Sequence, residues 1–151
     1  MIAIEPRALR TVAAVAALSA GVAAVYAQNE AMIAKRQKTM KAFAVAGRTP
    51  FAMFRGDAPF DLAKVRASLW SIKETAAKAK TVFPDDSKTG DTAALPAAFE
   101  NRADLFARFD KLAADAMSAQ STIKDEATFK AQWPILMSGC TSCHKQYVKP
   151  R

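Results

Sequence analysis

Two cysteines and the single histidine of the chain stand together near its end, in the pentapeptide Cys140-Thr141-Ser142-Cys143-His144. Residues three and four apart share one face of a helix, so the three reactive side chains would lie together if this stretch is helical. Two thiols at this spacing can add to the two vinyl groups along one edge of a porphyrin, while the imidazole provides a nitrogen ligand to its iron. The pattern therefore predicts covalent attachment of a c-type haem through Cys140 and Cys143, with His144 as an iron ligand.

Two other kinds of site use cysteines at this spacing. A thioredoxin-like redox pair occurs in a βαβ context, and this alanine-rich chain shows no strand pattern. Structural zinc normally takes four protein ligands, whereas the whole chain contains two cysteines and one histidine. We therefore favour the haem interpretation.

Residues 1–27 have the pattern of a secretory signal peptide. Arg7 and Arg10 precede an apolar stretch that ends in small residues at the positions a signal peptidase recognises. A membrane anchor is the alternative, but the stretch is shorter than the ~20 residues that a spanning helix needs. We expect cleavage after Ala27, with Ala24 as the second choice, and export of the mature protein to the periplasm.

The mature chain, residues 28–151, is expected to form one domain of 124 residues with no membrane span. It would carry 20 basic and 13 acidic side chains, a formal net charge of +7. Several of the basic residues follow the haem pentapeptide closely, namely Lys145, Lys149 and Arg151. This charge favours an acidic redox partner, because opposite charge steers association.

Four helices are predicted in the mature chain. They run from about Glu30 to Phe54, from Asp61 to Lys80, from Ala97 to Ala119, and from Asp125 to Val148. Asp61 and Asp125 are expected to cap the second and fourth helices. Pro50 should kink or break the first helix and Pro134 should bend the last, because proline donates no backbone hydrogen bond. The segment from Phe83 to Pro96 is a loop whose length suggests that it crosses over or covers something.

Apolar residues recur at helical spacing in the last three of these helices. The stripes are Leu62, Val65, Leu69, Ile72 and Ala76; Phe99, Ala103, Phe106, Phe109 and Ala113; and Phe129, Trp133, Leu136, Cys140, His144 and Tyr147. Four helices of about 20 residues, each ~30 Å long, would use nearly all of the mature chain. We therefore predict an all-α fold, an antiparallel four-helix bundle with the haem between helices.

Four segments carry a resemblance to a known family. They are Lys35 to Met40, Gly56 to Asp61, Phe83 with the Gly90-Asp91 pair, and Cys140 to Tyr147. In their order and spacing they are similar to the cytochrome c′ and cytochrome c556 family, and the resemblance covers essentially all of residues 28–151. It implies one haem c, with His144 as proximal iron ligand, Arg36 and Gln37 near the haem propionates, Phe83 beside the haem and Asp91 in a nearby loop. It also implies that the protein can form a homodimer through its first two helices, as an alternative to a monomer.

The same resemblance places Met40 at the position that divides the family. A methionine there is a distal iron ligand in low-spin members of the c556 type, whereas leucine leaves the iron five-coordinate and able to bind nitric oxide or carbon monoxide. The alternative role for Met40 is that of a flexible core residue, which is the usual role of methionine. The chain departs from the family at Val148, four residues after the haem histidine, where arginine is usual.

These features predict a periplasmic electron carrier with a low-spin haem held by His144 and Met40. A thioether ligand favours ferrous iron and raises the reduction potential relative to a second nitrogen ligand. No nucleophile–base pair accompanies the motif, so no enzymatic activity is predicted. A gas-binding, five-coordinate cytochrome is the alternative function.

Overall fold

The computed structural model describes the backbone of residues 6–150 and the side chains of residues 27–150. Most of the predicted signal peptide, residues 1–27, therefore lies outside the residues whose side chains are described. The long helices are α1 (Pro6–Arg55), α2 (Leu62–Ala79), α4 (Arg102–Thr122) and α5 (Glu126–Tyr147), and α3 is the short helix Ala97–Glu100. Two single 3₁₀ turns, Lys80–Val82 and Asp85–Ser87, lie between α2 and α3.

The four long helices pack as the predicted all-α four-helix bundle. In this bundle α1 lies against α2, α2 against α4, and α4 against α5, while α1 and α5 also make contact. The described residues contain one isolated β-bridge, between Ala94 and Val148, and no named strand. The architecture predicted from helical periodicity is therefore confirmed.

Both predicted aspartate caps are present. The Asp61 carboxylate accepts a hydrogen bond from the backbone N–H of Lys64 at 3.0 Å. Asp125 and Thr128 form a reciprocal capping box, in which Asp125 Oδ1 accepts from Thr128 N at 2.8 Å and Thr128 Oγ1 accepts from Asp125 N at 3.1 Å. Each cap satisfies N–H groups that have no partner within the first turn of a helix, so the two helix starts are fixed by local chemistry.

The first helix ends at Arg55, close to the predicted Phe54, and differs from the prediction at its start. It begins at Pro6 rather than near Glu30, and it runs through Pro50 without a break. The alanine-rich residues before Glu30 favour helix, which explains the early start. Pro50 is fully buried and removes one hydrogen bond, but packing of the helix keeps the next turn helical. Likewise α5 continues past Pro134 to Tyr147.

The third predicted helix is divided in two at Asn101, whose φ of −102° and ψ of 43° are not helical. Leaving the helical conformation costs asparagine less than most residues, because its side chain can form hydrogen bonds with nearby backbone groups. The division shifts the buried face. Ala103, predicted on the buried stripe, is exposed, and Leu105 is buried instead.

The core consists of two apolar clusters. The Trp133 cluster is formed by buried residues of α1, α2, α4 and α5 with Ile123: Met53, Val65, Leu69, Ile72, Ala116, Ala119, Ile123, Phe129, Trp133 and Leu136. The Phe83 cluster is formed by Ala79, Val82, Phe83, Ala98, Phe99, Leu105, Phe109 and Tyr147. Cys143 of the Cys-x-x-Cys-His pentapeptide packs against the Phe83 cluster.

Candidate haem-binding site

The haem pentapeptide is helical, as its spacing predicts, because it lies within the last turns of α5. Cys140 and Cys143 are half-buried, and His144 is exposed. The predicted stripe of α5 is therefore buried at Phe129, Trp133, Leu136 and Tyr147, while Cys140 is partly accessible and His144 lies at the surface. Cys140 and His144 follow Leu136 at i,i+4 spacing along the same face of α5, and their contact with a haem stays a prediction.

Both cysteines lie in surroundings that favour the thiol over the thiolate. Burial raises the pKa of Cys140 and of Cys143, and in Cys143 the nearby Arg108 guanidinium opposes this shift only in part. Cysteines that act in thiol–disulfide exchange have a lowered pKa, since the thiolate is the reactive form. Protonated thiols three residues apart, next to an accessible imidazole, instead fit the donor set that a c-type haem requires. No group of three or more His, Cys, Asp or Glu side chains that could hold a metal ion occurs in the described residues.

The predicted distal ligand borders the same apolar cluster as the attachment site. Met40 of α1 is half-buried and packs with Phe43 against the Phe83 cluster, and Cys143 of α5 packs against that cluster too. Phe83 itself is buried and lies near Phe99 and Phe109, with ring centroids 5.9 Å apart in both pairs. The fold therefore brings Met40, Phe83 and Cys143 to one apolar region from three different segments.

Arg36, predicted to lie near the haem propionates, is buried at 4% exposure and bound to the 83–96 loop and to the residue before it. Its Nη1 donates to Val82 O at 2.9 Å and to Ser87 Oγ at 2.8 Å. Its Nη2 donates to Ser87 O at 2.8 Å and to Thr92 Oγ1 at 3.0 Å. The guanidinium carbon also lies 5.3 Å from the ring centroids of Phe83 and Phe99. Burial away from water lowers the pKa of Arg36.

Gln37 and Asp91 are brought together at the surface. Gln37 Nε2 donates a hydrogen bond to the backbone carbonyl of Asp91 at 3.1 Å, and both residues are exposed. The contact joins α1 to the 83–96 loop next to Arg36. The predicted haem-environment residues thus occupy one region, with Arg36 and Phe83 buried and with Gln37 and Asp91 at its edge.

A polar network beside Cys143 was not anticipated from the sequence. The Tyr147 hydroxyl donates to the Asp104 carboxylate, and Arg108 Nε donates to the same carboxylate at 2.6 Å. Arg108 Nη2 donates to Gln146 Oε1 at 2.7 Å, which links α4 to α5. These bonds hold the pKa of Asp104 below its usual range, while burial and the Asp104 hydrogen bond raise that of Tyr147. The i,i+4 spacing of Asp104 and Arg108 is visible in the sequence, but their contact with α5 is not.

Val148, the residue that replaces the usual arginine, is part of a short extended pairing. It forms the β-bridge with Ala94, while Leu95 N donates to Tyr147 O and Lys149 N donates to Ala93 O, both at 2.9 Å. The chain after the haem pentapeptide is thereby fastened to the end of the 83–96 loop. The role of this loop as a covering segment, suggested by its length, is consistent with these contacts.

A bundle of four long helices with a helical Cys-x-x-Cys-His near its C-terminal end defines a class of c-type cytochromes distinct from those with the motif at the start of the chain. The chain belongs to the cytochrome c′ family: the family model described as "Cytochrome C'" matches residues 31–148. Members of this family bind one covalently attached haem c, so the predicted cofactor is confirmed. The chain is a haem protein of a family whose members transfer electrons or bind gases.

Relatives carry both names that the sequence resemblance suggests. The chain is 42% identical over 140 residues to cytochrome c′ of Rhodopseudomonas palustris, covering 92% of this chain and 94% of that protein. It is 34% identical over 125 residues to cytochrome c-556 of Agrobacterium fabrum, covering 82% and 84%. The solved structure of cytochrome c′ from R. palustris superimposes with a TM-score of 0.77 at 43% identity, covering 80% of this chain and 97% of that one. A structural model of oxidised R. palustris cytochrome c556 gives 0.73 at 26% identity, covering 80% and 97%.

Proposed function

We propose that this protein is a periplasmic one-electron carrier whose haem c is attached to Cys140 and Cys143 and ligated by His144 and Met40. The observation that carries the proposal is the packing of Met40 and Cys143 against one apolar cluster, from opposite ends of the chain. The contact of Met40 and Cys143 with the same cluster supports the Met40 sulfur as the distal iron ligand. Haem c, when bound, supplies an iron that gains and loses a single electron.

The chain's own residues favour electron transfer without bond making. His144 and Met40 would hold the iron in either oxidation state, so little would have to rearrange when an electron moves. The buried rings of Phe83, Phe99 and Phe109 keep water from this side of the site, and a less polar surrounding favours the less charged, ferrous form.

The haem-environment residues would act in two ways. Phe83 would form an apolar wall, and Gln37 and Asp91 would lie at the solvent edge. Arg36 would attract the propionates by its charge rather than by a direct bond from its terminal nitrogens, because those nitrogens already donate four hydrogen bonds to residues 82–92.

Carbon monoxide binding to the ferrous protein tests this proposal. Met40→Leu should bind carbon monoxide much faster than the wild type, because leucine offers no ligand that must first leave. Met53→Leu is the matched control, since Met53 lies on the same helix but is buried in the Trp133 cluster. Equal rates in the wild type and Met40→Leu would contradict Met40 as a distal ligand.

A five-coordinate cytochrome that binds nitric oxide or carbon monoxide is the second candidate. It is favoured by the 42% identity to a protein named cytochrome c′. In that case Met40 would be only a packing residue of the Phe83 cluster, and the wild type would already bind carbon monoxide without a displacement step.

The proposal also covers export of the protein to the periplasm and the proteins that it would bind there. Residues 1–27 would act as the signal peptide, and in the described residues no helix is long and apolar enough to cross a membrane. A redox partner with an acidic face would dock near the exposed basic residues Lys145 and Lys149. The other proposed partner is a second copy of this chain, which would bind through the groove between α1 and α2. There Val45 and Trp70 are 56% and 52% exposed, and Lys41 and Glu74 supply opposite charges.

A further inference from the structure

We propose that the 83–96 loop ties the helix that carries Met40 to the segment that follows His144, and that Arg36 and Thr92 thereby control how readily Met40 leaves the iron. The inference rests on the proposed function, because it takes Met40 and His144 as the axial ligands. The observation behind it is that Thr92 receives a hydrogen bond from each side of the site.

On the α1 side, Arg36 Nη2 donates to the Thr92 hydroxyl oxygen at 3.0 Å. The remaining bonds of the two terminal nitrogens go to Val82 and Ser87, so one guanidinium holds three points of the chain between residues 82 and 92. Ser87 and Thr92 are themselves 0% and 8% exposed. The contact is therefore a buried one, not a surface pair that water could replace.

On the α5 side, Lys149 Nζ donates to the backbone carbonyl of Thr92 at 2.8 Å. The adjacent backbone adds the bonds from Lys149 N to Ala93 O and from Leu95 N to Tyr147 O. Thr92 thus accepts from Arg36 through its side chain and from Lys149 through its main chain. It connects α1 to the end of α5 through a single residue.

The Arg36 guanidinium depends on every one of these oxygens. Among the described side chains no carboxylate lies within ion-pair distance of it, and its charge is met by neutral oxygens and by the faces of Phe83 and Phe99. A buried donor that loses its acceptor suffers the full cost of desolvation, and a charged donor suffers more. Loss of the Thr92 hydroxyl should therefore loosen the attachment of α1 to the loop.

Arg36 and Met40 are one turn apart on α1 and so share a face of that helix. The bonds of Arg36 to the loop therefore fix the rotation of that turn about the helix axis and its position along the axis. Met40 packs against the same Phe83 cluster that includes Val82 and Phe83. A looser turn would let the Met40 sulfur leave the iron more often, with His144 still in place.

Imidazole titration of the ferric holoprotein measures how readily Met40 is displaced from the iron. Imidazole has to displace Met40, so its apparent affinity rises with the fraction of molecules in which Met40 is detached. Thr92→Val keeps the shape and removes the acceptor, and it should raise imidazole affinity about tenfold. Thr92→Ser should restore the wild-type affinity. Lys149→Met, at an exposed position that does not disturb the core, should raise the affinity in the same direction.

Thr89→Val is the matched control. It removes a hydroxyl of the same loop whose one hydrogen-bond partner among residues 27–150 is Asn29, at 3.4 Å, and it should leave the affinity unchanged. If the wild type is low-spin and neither Thr92→Val nor Lys149→Met changes imidazole affinity, the proposed coupling is overturned while Met40 ligation stands. If the wild type is high-spin and binds imidazole as readily as Met40→Leu, both the coupling and the proposed function are overturned.

Discussion

The Asp104 carboxylate links α4 to α5 through its hydrogen bond from Tyr147. It accepts hydrogen bonds from Tyr147 and Arg108, which lower its pKa. A carboxyl group with a lowered pKa stabilises the folded state above its unfolded pKa of about 3.9, and that contribution is lost as the pH falls through the lower folded value. The link between α4 and α5 should therefore weaken in acid.

Asp104→Asn tests this at the residue scale. The variant should be less stable than the wild type at pH 7, and the difference should shrink as the pH falls below about 4. Urea unfolding of the holoprotein at several pH values, followed by circular dichroism, measures it. Asp110→Asn, an exposed aspartate of the same helix paired with Lys80, is the control. A stability difference independent of pH would show that the carboxylate charge plays no part.

Single residues also show where sequence reasoning succeeds and where it stops. Cys140, Cys143 and His144 could be identified because the chemistry depends on spacing within one turn of helix. The partners of Arg36 could not, because they lie 46 to 56 residues away and meet it only after the loop has folded back on α1. Met40 could be placed on the same face of α1 as Arg36, but its contact with the Phe83 cluster required the fold.

At the scale of the helices, local signals fixed most boundaries. The caps at Asp61 and Asp125 are bonds within four residues of one another, so the sequence alone specifies the starts of α2 and α5. The division at Asn101 was missed because a single asparagine is a weak signal within a long periodic stretch. Tertiary packing also carried α1 through Pro50, where local rules predict a kink or break.

The capping box of α5 matters for the helix that carries the haem. Asp125→Ala removes the acceptor for Thr128 N and should measurably lower the free energy of unfolding. Chemical denaturation at neutral pH measures the loss. Lys130→Ala, which breaks the exposed pair with Glu126 and keeps the acidic residue of the first turn, should change stability far less. Equal effects of the two substitutions would indicate that the cap contributes nothing beyond a surface charge.

At the scale of the whole molecule, the excess of basic residues should govern encounters with redox partners. The full chain has a formal net charge of +8, and residues 28–151 retain +7. Ferricyanide should oxidise the ferrous protein more slowly as ionic strength rises from 0.01 to 0.15 M, over which the Debye length falls from about 30 to about 8 Å. A cationic reagent such as hexaammineruthenium should show the opposite dependence on salt. Rates for both reagents that do not change with salt would contradict electrostatic steering.

The near-infrared absorption of the ferric holoprotein tests the central claim most directly. If Met40 ligates the iron opposite His144, the wild type should be low-spin and show the weak sulfur-to-iron charge-transfer band. Met40→Leu should lose that band and become high-spin, whereas Met53→Leu should keep it. A wild-type spectrum that is already high-spin, or a band that persists in Met40→Leu, would contradict the account and favour the gas-binding alternative.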